Sequence, residues 1–382
     1  MISTPEGLRW LSGYRQRGSG LTPRTQMARY SLRDLANRNL LPISEVNRLL
    51  VKADLQDFGW HMYWGDEDAT PDELLPNMID GAEGYAIFMH GWTGSHAIWE
   101  DMPCVLINQN RRLVSLTVDL NGFGATPFAD RTPEYEECSP LAVMRVVEGW
   151  LNLLGLRRAA GDPRLKAVHL IGHSMSGAAL FFADDSKWRL GELTRTALAP
   201  ALLLRDDLGR AFYTALGFGI GLVGRIGALE PIERLVSPRV LETLTDGASP
   251  AVRAEHDRIY RGTLRSVTAR TFAAMGTLRD APMPRRWELM EVFLGHRDPL
   301  VSPVPMLELL YELQFNSDQV RVMLGTHYII FSGRTLGACA SAKSANSAGR
   351  SAAIAQPRHS AAAQRLKTGI QSALSARFAL SR

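Results

Sequence analysis

The sequence predicts an α/β protein, and three observations support this fold class. An apolar run at 168–171 leads through a short turn directly into helix-prone residues at 178–182. Three other apolar runs, of the length expected for buried strands, occur at 85–89, 289–294 and 320–324. The chain has 382 residues, 46% hydrophobic and 21% charged, which suffices for one large globular domain with a substantial core.

The turn after the first run contains a candidate nucleophile. Residues 172–177 are Gly-His-Ser-Met-Ser-Gly, so Ser174 lies between a predicted strand and a predicted helix. A residue at such a bend has a strained backbone, and its side chain projects clear of both elements. The N-terminus of the following helix offers N–H groups that stabilise developing negative charge. This position therefore suits a serine that attacks a carbonyl carbon.

Polar residues also follow the other three predicted strands. The run at 85–89 ends in His-Gly-Trp-Thr-Gly, the next run is followed by a turn that contains Asp298, and the last by Gly-Thr-His, which ends at His327. A free serine hydroxyl is barely ionised at neutral pH, so a nearby imidazole must take its proton during attack. A buried carboxylate on the other ring nitrogen fixes the tautomer of that imidazole. The pattern thus indicates a base at His327 and an acid at Asp298.

On these motifs, residues 83–330 resemble the α/β-hydrolase family, in which nucleophile, acid and histidine occur in this order along the chain. The resemblance implies a mostly parallel sheet flanked by helices, with an inserted helical cap. It also implies a set of site residues: a triad of Ser174, Asp298 and His327, and an oxyanion hole formed by the backbone N–H groups of Trp92 and Met175. The sequence Asp-Leu-Asn-Gly-Phe-Gly at 119–124 resembles the family's Asp-x-x-Gly-x-Gly turn, so we expect Asp119 to be structural.

Two alternatives stay open for the nucleophile and the acid. Ser176 stands where the family pattern has glycine, and it is a weaker nucleophile candidate because the residue two before it is not glycine. Asp206 and Asp207 follow another predicted strand, at 196–204, and some family members carry the acid at that earlier position. The Gly-His-Arg-Asp-Pro-Leu-Val turn favours Asp298, because it places the carboxylate on a short loop at the end of a strand.

The other histidines do not indicate a metal, and we expect neither a metal nor a cofactor. His90 and His173 are expected to pack and hydrogen-bond in their turns, and His296 to shape the acid loop. Those without the spacing of metal ligands are His61, His96, His169, His256 and His359.

Charge and cysteine content limit the partners and the compartment. The net charge of +4 includes eight Lys or Arg and no Asp or Glu after residue 331, so the rest of the chain is mildly acidic. Because no basic groove with interleaved aromatic residues is visible, we expect no nucleic-acid partner. Three cysteines without CxxC spacing, no signal-peptide core and no transmembrane run favour a cytoplasmic protein.

Four segments are expected. Residues 1–54 form an N-terminal helical extension, with one capped helix predicted near Ser31 and another near Ser44. The hydrolase core is expected at residues 55–204 and 287–331, and the helical cap at residues 205–286. Four large apolar residues of the cap are candidates for substrate contact or for core packing: Phe212, Tyr213, Phe218 and Leu222. Residues 332–382 are an Ala/Ser-rich basic tail, whose apolar stripe after residue 361 suits either a docked helix or contact with a membrane surface.

The expected activity is hydrolysis of carboxylic esters, with hydrophobic acyl groups, through an acyl-serine intermediate. A small-molecule ester is the expected partner. A carbon–carbon bond hydrolase, a thioesterase and an acyltransferase use the same triad and remain alternatives, and a non-catalytic binding module is a further one.

Overall fold

The computed structural model describes residues 25–65, 82, 84–155, 167–183, 192–202, 215, 241–275, 278 and 290–329. Within these ranges, eight strands form one sheet in the order β1-β2-β4-β3-β5-β6-β7-β8. The strands are β1 (Gln26–Ser31), β2 (Gly59–Trp64), β3 (Gly84–Met89), β4 (Leu113–Val118), β5 (Ala167–His173), β6 (Glu192–Leu198), β7 (Met290–Gly295) and β8 (Val320–Met323).

The sheet is mostly parallel, which confirms the predicted fold class. Strands β1, β2 and β4 pair antiparallel, and every pairing from β4 to β8 is parallel. Strands β3, β4 and β7 are buried at every position, as expected for parallel strands whose two faces are both covered.

Helices connect the strands and cover them. The described α-helices are α1 (Leu32–Asn37), α2 (Ile43–Lys52), α3 (Met102–Gln109), α4 (Pro140–Leu153), α5 (Met175–Ala179), α6 (Pro250–Gly262), α7 (Arg265–Met275) and α8 (Pro303–Glu312). Two short 3-10 helices lie at His96–Trp99 and Leu180–Phe182. No helix in these ranges is long and apolar enough to span a bilayer.

Helix α4 shows how the sequence forms and places one of these helices. Ser139 accepts a hydrogen bond from the Ala142 N–H at the N-terminus, and Pro140 occupies the first turn, where no N–H is needed. The buried face of α4 presents Trp150, whose ring lies 5.3 Å from the rings of both Phe58 and Trp60. Such aromatic pairs stabilise the core by about 0.5–1.5 kcal/mol beyond their burial.

Register brings the ends of the parallel strands to one edge of the sheet. Met89, at the end of β3, pairs with Gly172 of β5, and Gly295, at the end of β7, pairs with Met323 of β8. The segments that follow these strands therefore leave the sheet on the same side, where ligands of open α/β sheets bind.

The structure departs from the sequence prediction in three places. The N-terminal extension is not helical throughout, because Gln26–Ser31 form β1, which pairs with β2 and belongs to the core sheet. Ser31 caps α1 as expected, accepting from the Asp34 N–H, but α2 begins after Pro42, so Ser44 does not cap it. The strand expected at 196–204 ends at Leu198, because the next residue has a φ of 46° and a proline follows it.

Several predictions concern residues outside the described ranges. These are the alternative acids Asp206 and Asp207, the substrate-contact candidates in the first part of the cap, and the basic tail from residue 332. Of the predicted cap, the structure describes residues 215, 241–275 and 278, including α6 and α7.

Candidate active site

Ser174 lies in a sharp turn between β5 and α5. Its φ of 53° and ψ of −110° are unfavourable for a residue with a side chain, as expected for a nucleophile held at a strand-to-helix bend. The turn is fixed through the backbone, since the Ser174 N–H donates to the Leu198 carbonyl at 2.9 Å and its carbonyl accepts from Ala178 and Ala201. At Gly172, a Cβ atom would lie 2.7 Å from the Gly177 nitrogen, so only glycine fits there without a shift of the backbone.

Ser176 has a different environment. Its side chain is fully buried, and its hydroxyl donates to the Met89 carbonyl at 2.6 Å and accepts from the His173 N–H at 3.0 Å. The hydroxyl thus ties the turn to β3. This arrangement gives Ser176 a structural use and leaves Ser174 as the better nucleophile candidate.

Asp298 and His327 form a buried pair. The Nδ1 atom of His327 donates to Oδ2 of Asp298 at 2.8 Å, and Oδ1 of Asp298 accepts from the backbone N–H groups of Leu300 at 2.8 Å and Val301 at 2.9 Å. One carboxylate oxygen therefore holds the loop while the other orients the imidazole. Because the proton of the neutral ring is then on Nδ1, Nε2 is the nitrogen able to accept a proton.

His173 connects this pair to the serine turn. Its Nε2 donates to the His327 carbonyl at 3.1 Å, and the two rings lie 4.9 Å apart. Burial, together with the neighbouring His327, lowers the pKa of His173 well below its usual value. A neutral His173, directly before Ser174 in the chain, thus holds the segment that carries His327 beside the turn.

The loop at 90–94 also lies against Ser174. A methyl group at Gly91 would be 3.0 Å from the Ser174 Cβ and 3.2 Å from Nδ1 of His173. His90 shapes this loop: its Nδ1 donates to the Gly91 carbonyl at 2.6 Å, and its Nε2 accepts from the Leu120 N–H at 2.9 Å. Burial lowers the pKa of His90 to about 4, so the ring is neutral.

The two residues predicted for the oxyanion hole, Trp92 and Met175, directly follow the two residues that approach each other here, Gly91 and Ser174. Met175 is the first residue of α5, where helical N–H groups have no partner within the helix, and Trp92 follows Gly91. Among the residues that the structure describes, neither backbone N–H donates to an acceptor. Backbone donors without a partner are what an oxyanion hole requires, so Trp92 and Met175 remain the candidates for it.

Asp119 is part of the framework around the site. Its Oδ1 accepts from both the backbone N–H and Nδ1 of His96, at 2.6 and 3.0 Å, and its Oδ2 accepts from the Ala125 N–H at 2.8 Å. Burial alone would raise its pKa, but the hydrogen bonds and charge of His96 hold that pKa below its ordinary value. His61 stacks on His96, with ring centroids 3.7 Å apart.

The sequence reasoning gave no role to His256 or Thr93, which the structure joins beside the loop. Nδ1 of His256 in α6 lies 3.1 Å from Oγ1 of Thr93, and its Nε2 hydrogen-bonds the hydroxyl of Tyr328. No local pattern could reveal the first contact, because 163 residues separate its partners. The contact with Tyr328 links His256 to the residue directly after His327.

Comparison with known proteins supplies the family. A model described as the alpha/beta hydrolase family matches residues 86–334, whereas no curated protein matches the sequence. A similar solved structure is the enol-lactonase from Burkholderia xenovorans, at 14% identity and a TM-score of 0.49 over 76% of this chain and 95% of that one. An esterase from Exiguobacterium antarcticum is 16% identical, with a TM-score of 0.48 over 70% of this chain and 93% of that one. The 2-hydroxy-6-oxo-6-phenylhexa-2,4-dienoate hydrolase from Rhodococcus sp. is 15% identical, with a TM-score of 0.46 over 72% of this chain and 87% of that one. Since the family model matches more than half of the sequence, the chain belongs to the alpha/beta hydrolase family.

Proposed function

We propose that this hydrolase cleaves carboxylic esters, with Ser174 as nucleophile, His327 as base and Asp298 as the acid that orients the base. The observation that carries the proposal is the buried Asp298–His327 pair, 2.8 Å between Oδ2 and Nδ1, held by His173 next to a serine in a strained turn. Family membership supports hydrolysis, and this arrangement supports acyl transfer through a serine.

The proposed reaction has two half-reactions. Oγ of Ser174 attacks the ester carbonyl carbon while Nε2 of His327 takes the hydroxyl proton, and the carbonyl oxygen gains negative charge opposite the N–H groups of Trp92 and Met175. The tetrahedral intermediate collapses, the C–O bond to the alcohol breaks, and His327 returns the proton to that alcohol. Water, activated by the same imidazole, then releases the carboxylic acid and restores the serine.

We further propose that residues 205–286 cap the site and that its pocket takes hydrophobic acyl groups. In support, Nε1 of Trp92 donates to the Thr268 carbonyl of α7 at 3.1 Å, and the ring of Trp92 lies 4.9 Å from that of Phe272. Part of the inserted segment is thus packed on the loop beside Ser174. A cytoplasmic location is also proposed, supported by the free thiols of Cys104 and Cys138.

The test is hydrolysis of p-nitrophenyl esters of increasing acyl length by wild type, Ser174→Ala and the exposed control Ser44→Ala. We expect the control to retain wild-type turnover and Ser174→Ala to lose about 10⁴-fold or more in kcat. The preferred length then measures the acyl pocket. A fluorophosphonate, which attaches covalently to an activated serine, should add its mass at residue 174 in wild type and not in Ser174→Ala.

Parallel assays with an acyl thioester and a vinylogous diketone separate the alternatives. Serine-dependent turnover of either of these, with none of any ester, would replace the ester proposal by thioester or carbon–carbon bond hydrolysis. Absence of both turnover and fluorophosphonate labelling would refute a catalytic serine at position 174.

A further inference from the structure

One buried histidine links the inserted segment to both sides of the site. His256 belongs to α6 and is only 2% exposed. Its Nδ1 faces Thr93, the residue after Trp92, and its Nε2 bonds the hydroxyl of Tyr328, the residue after His327. A single side chain therefore bridges the loop that carries one oxyanion donor and the segment that carries the base.

The protonation of this bridge can be assigned. Burial is the main cause that lowers the pKa of His256 to about 3, and the negative charge of the nearby Glu255 carboxylate opposes the shift. Burial also raises the pKa of Tyr328, so its phenol stays protonated. With a neutral imidazole, the Tyr328 hydroxyl donates to Nε2 and the Nδ1 proton faces Thr93, which uses both ring nitrogens.

Thr93 needs such a partner because its backbone is strained. Its φ is 56°, in the left-handed region that favours glycine, and threonine is β-branched. It lies inside a tight turn that the Gly94 N–H closes on the Gly91 carbonyl at 3.1 Å. A relaxed Thr93 would rotate the adjoining peptide groups, and Trp92 with them. The hydrogen bond from His256 therefore holds the side chain of Thr93, the residue of this turn whose backbone is strained.

Glu255, the residue before His256, makes a second contact between α6 and the segment that follows Trp92. Oγ of Ser95 donates to Oε1 of Glu255 at 2.5 Å, and Arg258 in turn pairs with Glu255 at 2.6 Å. Glu255 and His256 are consecutive in α6, so this helix contacts the loop at two points. Of these two residues, His256 also bonds the residue directly after His327.

We propose that His256 is a positioning residue, which holds the Trp92–Thr93 turn in register with His327 for the transition state. The inference rests on the proposed function, since it assigns the turn to oxyanion stabilisation. Ground-state binding of an ester makes little use of an oxyanion donor, so loss of His256 should lower kcat and leave KM nearly unchanged.

The test compares His256→Phe, which keeps a ring but removes both bonds, with Asp257→Asn, a change on the same helix at a half-buried carboxylate that pairs with Arg261. We expect His256→Phe to lower kcat by about 10- to 100-fold with KM within about twofold, measured well below its melting temperature. The inhibition constant for a trifluoromethyl ketone, which binds as a tetrahedral oxyanion, should rise by the same factor as kcat/KM falls. Asp257→Asn should match wild type in all of these values.

Two results overturn the proposal. One is a folded His256→Phe protein with kcat and ketone affinity within about twofold of wild type, and the other is a raised KM with kcat unchanged. If His256→Phe does not fold, Thr93→Val and Tyr328→Phe each remove one arm of the bridge, and non-additive losses of kcat in the double variant support it. Additive losses count against it.

A separate readout distinguishes failure of this inference from failure of the proposed function. The rate of fluorophosphonate attachment to Ser174 requires the oxyanion hole but no knowledge of the natural substrate. Slower labelling of His256→Phe than of wild type supports the bridge even if no ester is turned over, and equal labelling rates refute it. If wild type itself is neither labelled nor active on esters, the proposed function fails, and the inference fails with it.

Discussion

Four buried histidines should make the folded state sensitive to mild acid. The side chains of His61, His90, His173 and His256 are each at most 8% exposed. Burial is the largest cause that depresses the pKa of each, to about 3 for His61 and His256, about 4 for His90, and well below the usual value for His173. The folded protein therefore keeps these rings neutral at a pH where the unfolded chain protonates them.

The sign and size of the effect follow from this difference. An unfolded histidine titrates near pH 6.5, so between about pH 6.5 and 4 the unfolded chain binds protons that the folded chain does not. The stabilisation is fully present above the unfolded pKa and is lost as the pH falls towards the folded pKa. Each of the three histidines with a pKa of about 3 or 4 loses about 2 kcal/mol between pH 7 and pH 5, or about 6 kcal/mol together, and His173 acts in the same direction. A loss of this size is comparable to the whole stability of a domain, about 5–15 kcal/mol.

The assay is urea unfolding, followed by tryptophan fluorescence, in half-unit steps from pH 7 to pH 5. We expect the free energy of unfolding to fall by about 4 kcal/mol or more per pH unit near pH 5, the slope of at least about three protons. His256→Asn should reduce that slope by about one proton, whereas Ser44→Ala, an exposed change that removes no titratable group, should leave it unchanged. A free energy that stays level from pH 7 to pH 5 would refute the reasoning.

Three further predictions concern the site. Asp298→Asn should lower kcat about 10⁴-fold. The N–H groups of Leu300 and Val301 would hold the amide oxygen, so the NH₂ group would face Nδ1 of His327 and impose the wrong tautomer on the ring. Wild-type kinetics in this variant would exclude Asp298 as the acid. Gly91→Ala should stay folded yet lose about 100-fold in kcat, since its methyl group lies 3.0 Å from the Ser174 Cβ and must displace it; steady-state kinetics and circular dichroism check both parts. Gly172→Ala should lower the melting temperature, because its Cβ meets backbone at 2.7 Å, whereas Gly262→Ala, with nothing within 4 Å, should leave it unchanged or raise it.

The sheet and the proposed triad were predictable because their signals are local. The runs at 85–89, 289–294 and 320–324 correspond to β3, β7 and β8 with shifts of one residue at their ends. Apolar runs of this length encode buried strands, and a polar residue after each run marks the carboxyl edge of a parallel sheet. These patterns, together with the resemblance to the family, predicted that Ser174, Asp298 and His327 follow strands at the same edge of the sheet.

Other features could not be predicted, because tertiary contacts decide them. The sequence Gln-Met-Ala-Arg-Tyr-Ser of β1 has no alternating pattern, and it becomes a strand because β2 offers an open edge. His256 lies on a helix with ordinary periodicity, so its contact with Thr93 depends on how α6 docks. The positive φ of Thr93 could not be predicted either, because threonine normally avoids this backbone conformation.

The turn at Asp298 has a consequence for how such sites diversify. Both backbone donors that hold Oδ1 come from within three residues of the aspartate, and the partner of Oδ2 is a single ring. The direction of the carboxylate is thus set by a short stretch of chain. That stretch is tied to the neighbouring strand end, because the His296 N–H donates to the Met323 carbonyl at 2.9 Å and the Arg297 N–H to the Gly325 carbonyl at 3.0 Å. A chain that carried the aspartate at the end of another strand would therefore have to provide both the local donors and a neighbouring strand end to hold the turn.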